Sequence, residues 1–209
     1  MILRATVVVP VFQDQEGVVS CLEALARQSL PQEHFEIVVV DNGSVPEIEI
    51  PQGIISNVSL ATCGTPGSYA ARNKGAAVAQ GRYLAFTDAD CVPDTNWLKN
   101  GIRALEQENR EIIVGGHVEF TPPPRHTMFS LYQMAVGFQQ EENILRKGFS
   151  ATANLFCRRE TFQRVGPFAE LEWVHWFNHH RLLEPIGNIP PAEAEENHYK
   201  QFSELPMAA

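Results

Sequence analysis

Two aspartates two positions apart, Asp88 and Asp90, follow the apolar run Tyr83-Leu84-Ala85-Phe86. Carboxylates presented together at the end of a buried strand can hold a hard cation such as Mg2+ or Mn2+, which takes oxygen ligands and keeps positions open for phosphate groups. The same pair would also serve as ordinary turn and capping residues. A third aspartate, Asp41, ends the run Val38-Val39-Val40. There it can accept a hydrogen bond from a base imide or a ribose hydroxyl, or form an Asx turn with Asn42-Gly43-Ser44. Arg72, Asn73 and Lys74 fall in the first turns of an alanine-rich segment, where a phosphate would meet guanidinium, ammonium and helix N-terminal N–H groups. Phe12 offers a face on which a planar ring can stack, or simply an edge to the core.

These residues are useful only if the chain brings them together, and the pattern of elements says that it does. Thr6 to Val11 and Phe35 to Val40 are continuous apolar runs, as in strands covered on both faces. Between them, Asp14 is placed to cap a helix carrying Val18, Val19, Leu22, Leu25 and Ala26, which should stop before Pro31. Ile54 to Ala61 reads as a third strand, Tyr69 to about Gln80 as a helix, and Arg82 to Phe86 as a fourth strand. Asp94 is expected to cap a helix with Trp97, Leu98, Ile102 and Leu105 on one face. Ile112 to Phe120 reads as a strand interrupted by Gly115-Gly116. Alternation of this kind argues an α/β fold, a mostly parallel sheet flanked by helices on both faces. Ligands of such sheets bind at the carboxyl ends of the strands, where Phe12, Asp41, Asp88 and Asp90 fall. Beyond Phe120 come Pro122-Pro123-Pro124, a helical stretch from Met128 to Phe138, a strand over Ser150 to Cys157, and a short helix over Arg159 to Val165 closed by Gly166-Pro167.

The chain has 209 residues, 44% of them apolar and 20% charged, enough to bury a core. Its 16 Lys and Arg against 25 Asp and Glu leave a net charge of −9, so a broad basic face for nucleic acid is disfavoured. The four cysteines, at 21, 63, 91 and 157, are far apart and read as thiols of a reducing compartment. No window reaches the roughly 18 apolar residues of a membrane span. The expected location is the cytoplasm, with peripheral contact at a membrane left open, as is oligomeric state.

Four motifs in order, Val8-Val9-Pro10-Val11-Phe12, Val38 to Ser44, Ala71-Arg72-Asn73-Lys74-Gly75-Ala76 and Phe86-Thr87-Asp88-Ala89-Asp90, closely resemble the inverting family 2 glycosyltransferases of GT-A fold. The resemblance covers roughly residues 3 to 168. It implies a GT-A, Rossmann-like domain over residues 1–168 that binds a nucleotide-sugar donor, a UDP-sugar by expectation, with Mn2+ or Mg2+. It implies that Asp41 reads the base above a wall of Pro10, Val11 and Phe12, and that Arg72 meets the base or diphosphate. Ser44 and Lys74 would stand at the nucleotide too, Asp88 at the ribose and, with Asp90, at the metal. The acceptor would be a glycan, lipid-linked or other hydroxyl, as in polysaccharide biosynthesis, and Ser150 to Asn154 resembles the acceptor-side strand.

The resemblance stops after Gly166-Pro167-Phe168. Such transfer needs a base for the acceptor proton, and the family supplies it from a Gly-Gly-Glu-Asp-like segment shortly afterwards. Here the stretch reads Glu170-Leu171-Glu172-Trp173-Val174-His175-Trp176, which leaves Glu170 and Glu172 as base candidates without the flanking glycines. Residues 169–209 form an atypical tail holding four of the seven histidines. His175 and His179 are spaced to share a helical face and a metal. An abrupt change of this kind is also what a frameshift or a premature end produces, and a catalytically silent nucleotide-binding module is the rival reading. A nucleotidyltransferase would need a Gly-rich basic loop after the first strand, and a dinucleotide enzyme a G-x-G-x-x-G; neither is present.

Overall fold

The computed structural model describes residues 3–120, 140–147 and 150–168, all within the unit Met1–Phe168. Six strands, β1 (Ala5–Val11), β2 (Phe35–Asp41), β3 (Val58–Thr62), β4 (Tyr83–Phe86), β5 (Ile113–Gly115) and β6 (Leu155–Arg158), form one sheet. Its order is β3-β2-β1-β4-β6-β5. β1 to β4 run parallel, while β6 runs antiparallel to both β4 and β5. Every residue of β1 is buried, as expected for a central strand covered on both faces.

Four helices cover the sheet: α1 (Gln15–Ala26), α2 (Ser68–Val78), α3 (Trp97–Gln107) and α4 (Arg159–Val165). Strand alternation sorts the side chains. Val7, Val9, Ile37 and Val39 pack with Leu22 and Leu25 of α1 and with Leu98, Ile102 and Leu105 of α3. Val8, Val38, Val40, Leu84 and Phe86 pack on the other face with Ala71 and Ala76 of α2 and Phe162 of α4. The small residues of α2 let it lie close: a Cβ on Gly75 would stand 2.4 Å from Val8 Cγ1. Burial pushes the thiols of Cys21 and Cys157 up to about 12, and all four cysteines are free.

Several sequence expectations need adjustment. β3 starts at Val58, because Ile54 and Ile55 reach the core from the preceding turn. Asp94 does not cap α3; Asn96 is its N-cap, and the Asp94 carboxylate accepts the Asn96 N–H at 2.9 Å in the turn before it. The strand expected over Ile112 to Phe120 is only β5. Gly116 leaves the sheet to donate its N–H to Asn154 O at 2.9 Å, and a Cβ there would lie 2.3 Å from Asn154 Nδ2. Thr152–Asn154 is a 3-10 turn leading into β6 rather than strand. The expected helix over Met128 to Phe138 and the triple proline lie outside the described residues. Among the described residues, no helix is long and apolar enough to cross a membrane.

Candidate functional site

β1, β2 and β4 end at one edge of the sheet, as parallel strands in register must; Val11 pairs with Asp41, and Val8 with Phe86. A cleft of about 320 Å3 opens there. Pro10, Val11 and Phe12 form one wall, Ser68 and Arg72 of α2 another, and Asp88, Ala89 and Asp90 the third. Phe12 is 63% exposed, an apolar ring kept in solvent at the mouth. A larger cavity of about 640 Å3 lies along Pro46 to Gln52, but its charged lining is Glu47 and Glu49, with no cation to receive a phosphate.

Arg72 is 8% exposed and ion-pairs with Asp88 through one terminal nitrogen, while its Nε is buried without a protein partner. A guanidinium at the wall of a cleft is suited to an anionic ligand. Lys74, two positions on and so about 200° around the helix, is exposed and lies outside the cleft lining. Asp90 is exposed, and Ala89 is buried between it and Asp88. As a donor set, the two carboxylates on one wall fit Mg2+ or Mn2+ with phosphate oxygens and water in the remaining positions. Among the described residues no group of three or more His, Cys, Asp or Glu gathers at one point.

Asp41 is 3% exposed and does not line the cleft. One of its oxygens accepts the Ser44 N–H at 2.9 Å and the other the Ile48 N–H at 3.3 Å. Burial raises its pKa, but the hydrogen bonds from Ser44, Ile48 and Gly43 outweigh that and hold the carboxyl below its ordinary range. Ser44 is itself buried, and its hydroxyl accepts the N–H of Gln13 at 2.9 Å. Gln13 is a non-glycine residue at φ 56°, so Ser44 helps to fix the turn that presents Phe12.

The residue of this turn that does reach the cleft is Asn42. Its amide donates to Cys63 O at 3.1 Å and Thr65 O at 2.7 Å, and its oxygen accepts the Gly67 N–H at 2.8 Å. Asn42 thereby pins the loop that launches α2 and Arg72. Sequence reasoning missed it because its partners lie more than 20 residues away. Asp14, expected as a cap, is one: it accepts the Gly17 N–H at 2.9 Å while bordering the cleft. On the other side of the sheet end, Asn154 accepts from Trp97 Nε1 at 2.9 Å, and the Gln140 amide bonds to Ser150 Oγ at 3.0 Å. Glu170, Glu172, His175 and His179 lie outside the described residues.

A model of the family described as Glycosyl transferase family 2 matches residues 6–166. The chain is 36% identical over 168 residues to "Glycosyltransferase AglE" of Haloferax volcanii, covering 78% of this chain and 55% of that protein. The solved structure of a mannosyltransferase from Pyrobaculum calidifontis, in complex with GDP-Man and Mn2+, superposes with a TM-score of 0.58 at 21% identity. The superposition covers 81% of this chain and 48% of that one and shows the shared fold. The chain spans about half the length, or less, of the first curated relatives it matches. A separate match of a different kind, 49% identical over 41 residues or 20% of this chain, is to the transposase for insertion sequence element IS629 of Shigella sonnei, of which it covers 14%.

Proposed function

Because the chain belongs to glycosyl transferase family 2, we propose that the cleft at the carboxyl edge of β1, β2 and β4 receives the nucleoside diphosphate of a nucleotide-sugar. The observation that carries this reading is the convergence of Phe12, Arg72, Asp88 and Asp90, from three separate elements, on one cleft of about 320 Å3. Phe12 would stack on the base, and Arg72, which lines the cleft, would meet the diphosphate with its guanidinium. Asp88 and Asp90 would hold Mn2+ or Mg2+. That ion, when bound, screens the negative charge that gathers on a departing diphosphate.

The reaction such a donor site serves is inverting transfer. An acceptor hydroxyl oxygen bonds to the anomeric carbon as the bond from that carbon to the diphosphate oxygen breaks, and the hydroxyl proton passes to a base. UDP is the expected nucleotide, and the acceptor a glycan, a lipid-linked sugar or another hydroxyl compound. Asp41, buried and held by backbone donors, would support the base side of the cleft through the Ser44 turn. Titration calorimetry with UDP and with GDP, each with Mn2+, tests the reading. Metal-dependent binding should be lost in Asp90→Ala, and a chain that binds neither nucleotide, or binds equally without Asp90, is not a donor-site protein.

A further inference from the structure

We infer that residues 169–209 are a segment of transposase origin joined in frame to the glycosyltransferase domain just after Phe168, in the stretch where the resemblance places the base of transfer. The inference rests on the donor-site reading and concerns the chain beyond that site. The family match ends at residue 166, and the stretch after Phe168 is 41 residues, the length of the transposase match. That match covers 20% of this chain and the one to the Haloferax glycosyltransferase 78%, shares that fit side by side on either side of Phe168. A frameshift within one gene, the simplest reading of the abrupt change, yields codons with no coding history. It would not give 49% identity over 41 residues to another coding sequence.

The junction falls at the end of the unit Met1–Phe168. Asn73 of α2 donates its amide to Phe168 O at 2.7 Å and accepts the Phe168 N–H at 2.8 Å. The Phe168 ring stacks edge-on to Phe86 with centroids 5.2 Å apart. The last family-like residue is therefore fixed against α2, and every described residue of the cleft lining precedes the joined segment.

The cleft itself carries no spare base. Among the described residues of the lining, Asp88 is paired with Arg72 and Asp14 caps α1, while Asp41 is buried outside the lining with backbone N–H groups on both oxygens. Asp90 is the remaining carboxylate of the lining and belongs to the cation wall. The stretch just after Phe168, where the resemblance places the base, is then not of glycosyltransferase origin. Glu170 and Glu172 are thus acidic residues of the joined segment, not members of a transfer site.

The full chain and a graft test this. In the graft, residues 169–209 are exchanged for the segment that comes after the matching stretch in the archaeal relative. Nucleotide affinity is measured by calorimetry with UDP or GDP and Mn2+, and nucleotide release from a panel of UDP-sugars and GDP-sugars is followed. The natural chain should bind nucleotide yet release it from sugar donors no faster than Asp90→Ala. The graft should bind within threefold and release it at least about 100-fold faster, the contribution expected of a general base. Release by the natural chain tenfold or more above Asp90→Ala, falling when Glu170→Gln and Glu172→Gln are combined, overturns the inference whether or not the graft folds. Failure of the natural chain to bind either nucleotide overturns the donor-site reading instead.

Discussion

At the scale of single residues, Asp41 and Asn42 are adjacent in sequence and do different work. Asp41 is a carboxylate kept ionised inside the protein by backbone N–H groups. Its native pKa is lowered, so the stability it contributes is present above its unfolded value, near 3.9, and is lost as pH falls through the native one. Asp41→Asn would set an amide donor against an N–H. Its expected cost is about 1–3 kcal/mol at pH 7, measured by urea unfolding, with the difference from the natural chain shrinking below about pH 4. A gap as wide at pH 3 as at pH 7 would show that ionisation of Asp41 is not its source. Asn42 has the opposite requirement, since its amide faces two carbonyls. Asn42→Asp would turn carboxylate oxygen toward them. It should cost about 1–3 kcal/mol, more than Asn42→Ala, and weaken UDP binding by loosening the loop that carries Arg72 into place; equal effects of the two substitutions would argue against this role.

At the scale of elements, α2 carries the balance between propensity and packing. Glycine inside a helix is disfavoured by about 1 kcal/mol against alanine, so propensity by itself predicts that Gly75→Ala stabilises. The sheet decides otherwise, because a Cβ at that position meets Val8 Cγ1 at 2.4 Å and Val40 Cγ2 at 3.2 Å, both valines being fully buried or nearly so. Overpacking of this kind costs about 1–3 kcal/mol. Thermal unfolding of Gly75→Ala should show a lower midpoint, and a raised one would mean that the helix can lift without penalty. The alanine pattern of α2 announced close packing, whereas the position of closest approach is set by β1 and β2, which lie far away in sequence.

At the scale of the whole molecule, one reciprocal pair closes the domain. Asn73 and Phe168 are 95 residues apart and exchange two hydrogen bonds. They join the helix that borders the cleft to the last residue of the family-like unit. Asn73→Ala removes both bonds and leaves the Phe168 backbone groups seeking water. The expected loss is about 1–3 kcal/mol, read as a lowered urea midpoint with an unchanged slope, because the same surface is still buried in the folded state. A changed slope would mean that the Gly166-Pro167-Phe168 segment detaches.

The sequence by itself determined the order of strands and helices in the donor half, the edge of the sheet at which Phe12, Asp88 and Asp90 meet, and the residue after which the family pattern stops. Those properties are local: apolar periodicity, turn residues and short motifs are all written within a few positions of one another. Only the tertiary structure decided which residue of each motif faces the cleft. Arg72 enters it and Lys74 does not, because a helix turns about 100° per residue and the sheet fixes its rotation. Asn42 reaches it while Asp41 is consumed by Ser44 and Ile48, because the turn after β2 is shaped by hydrogen bonds to residues 63–67. Such choices depend on partners distant along the chain, and no pattern within one motif encodes them.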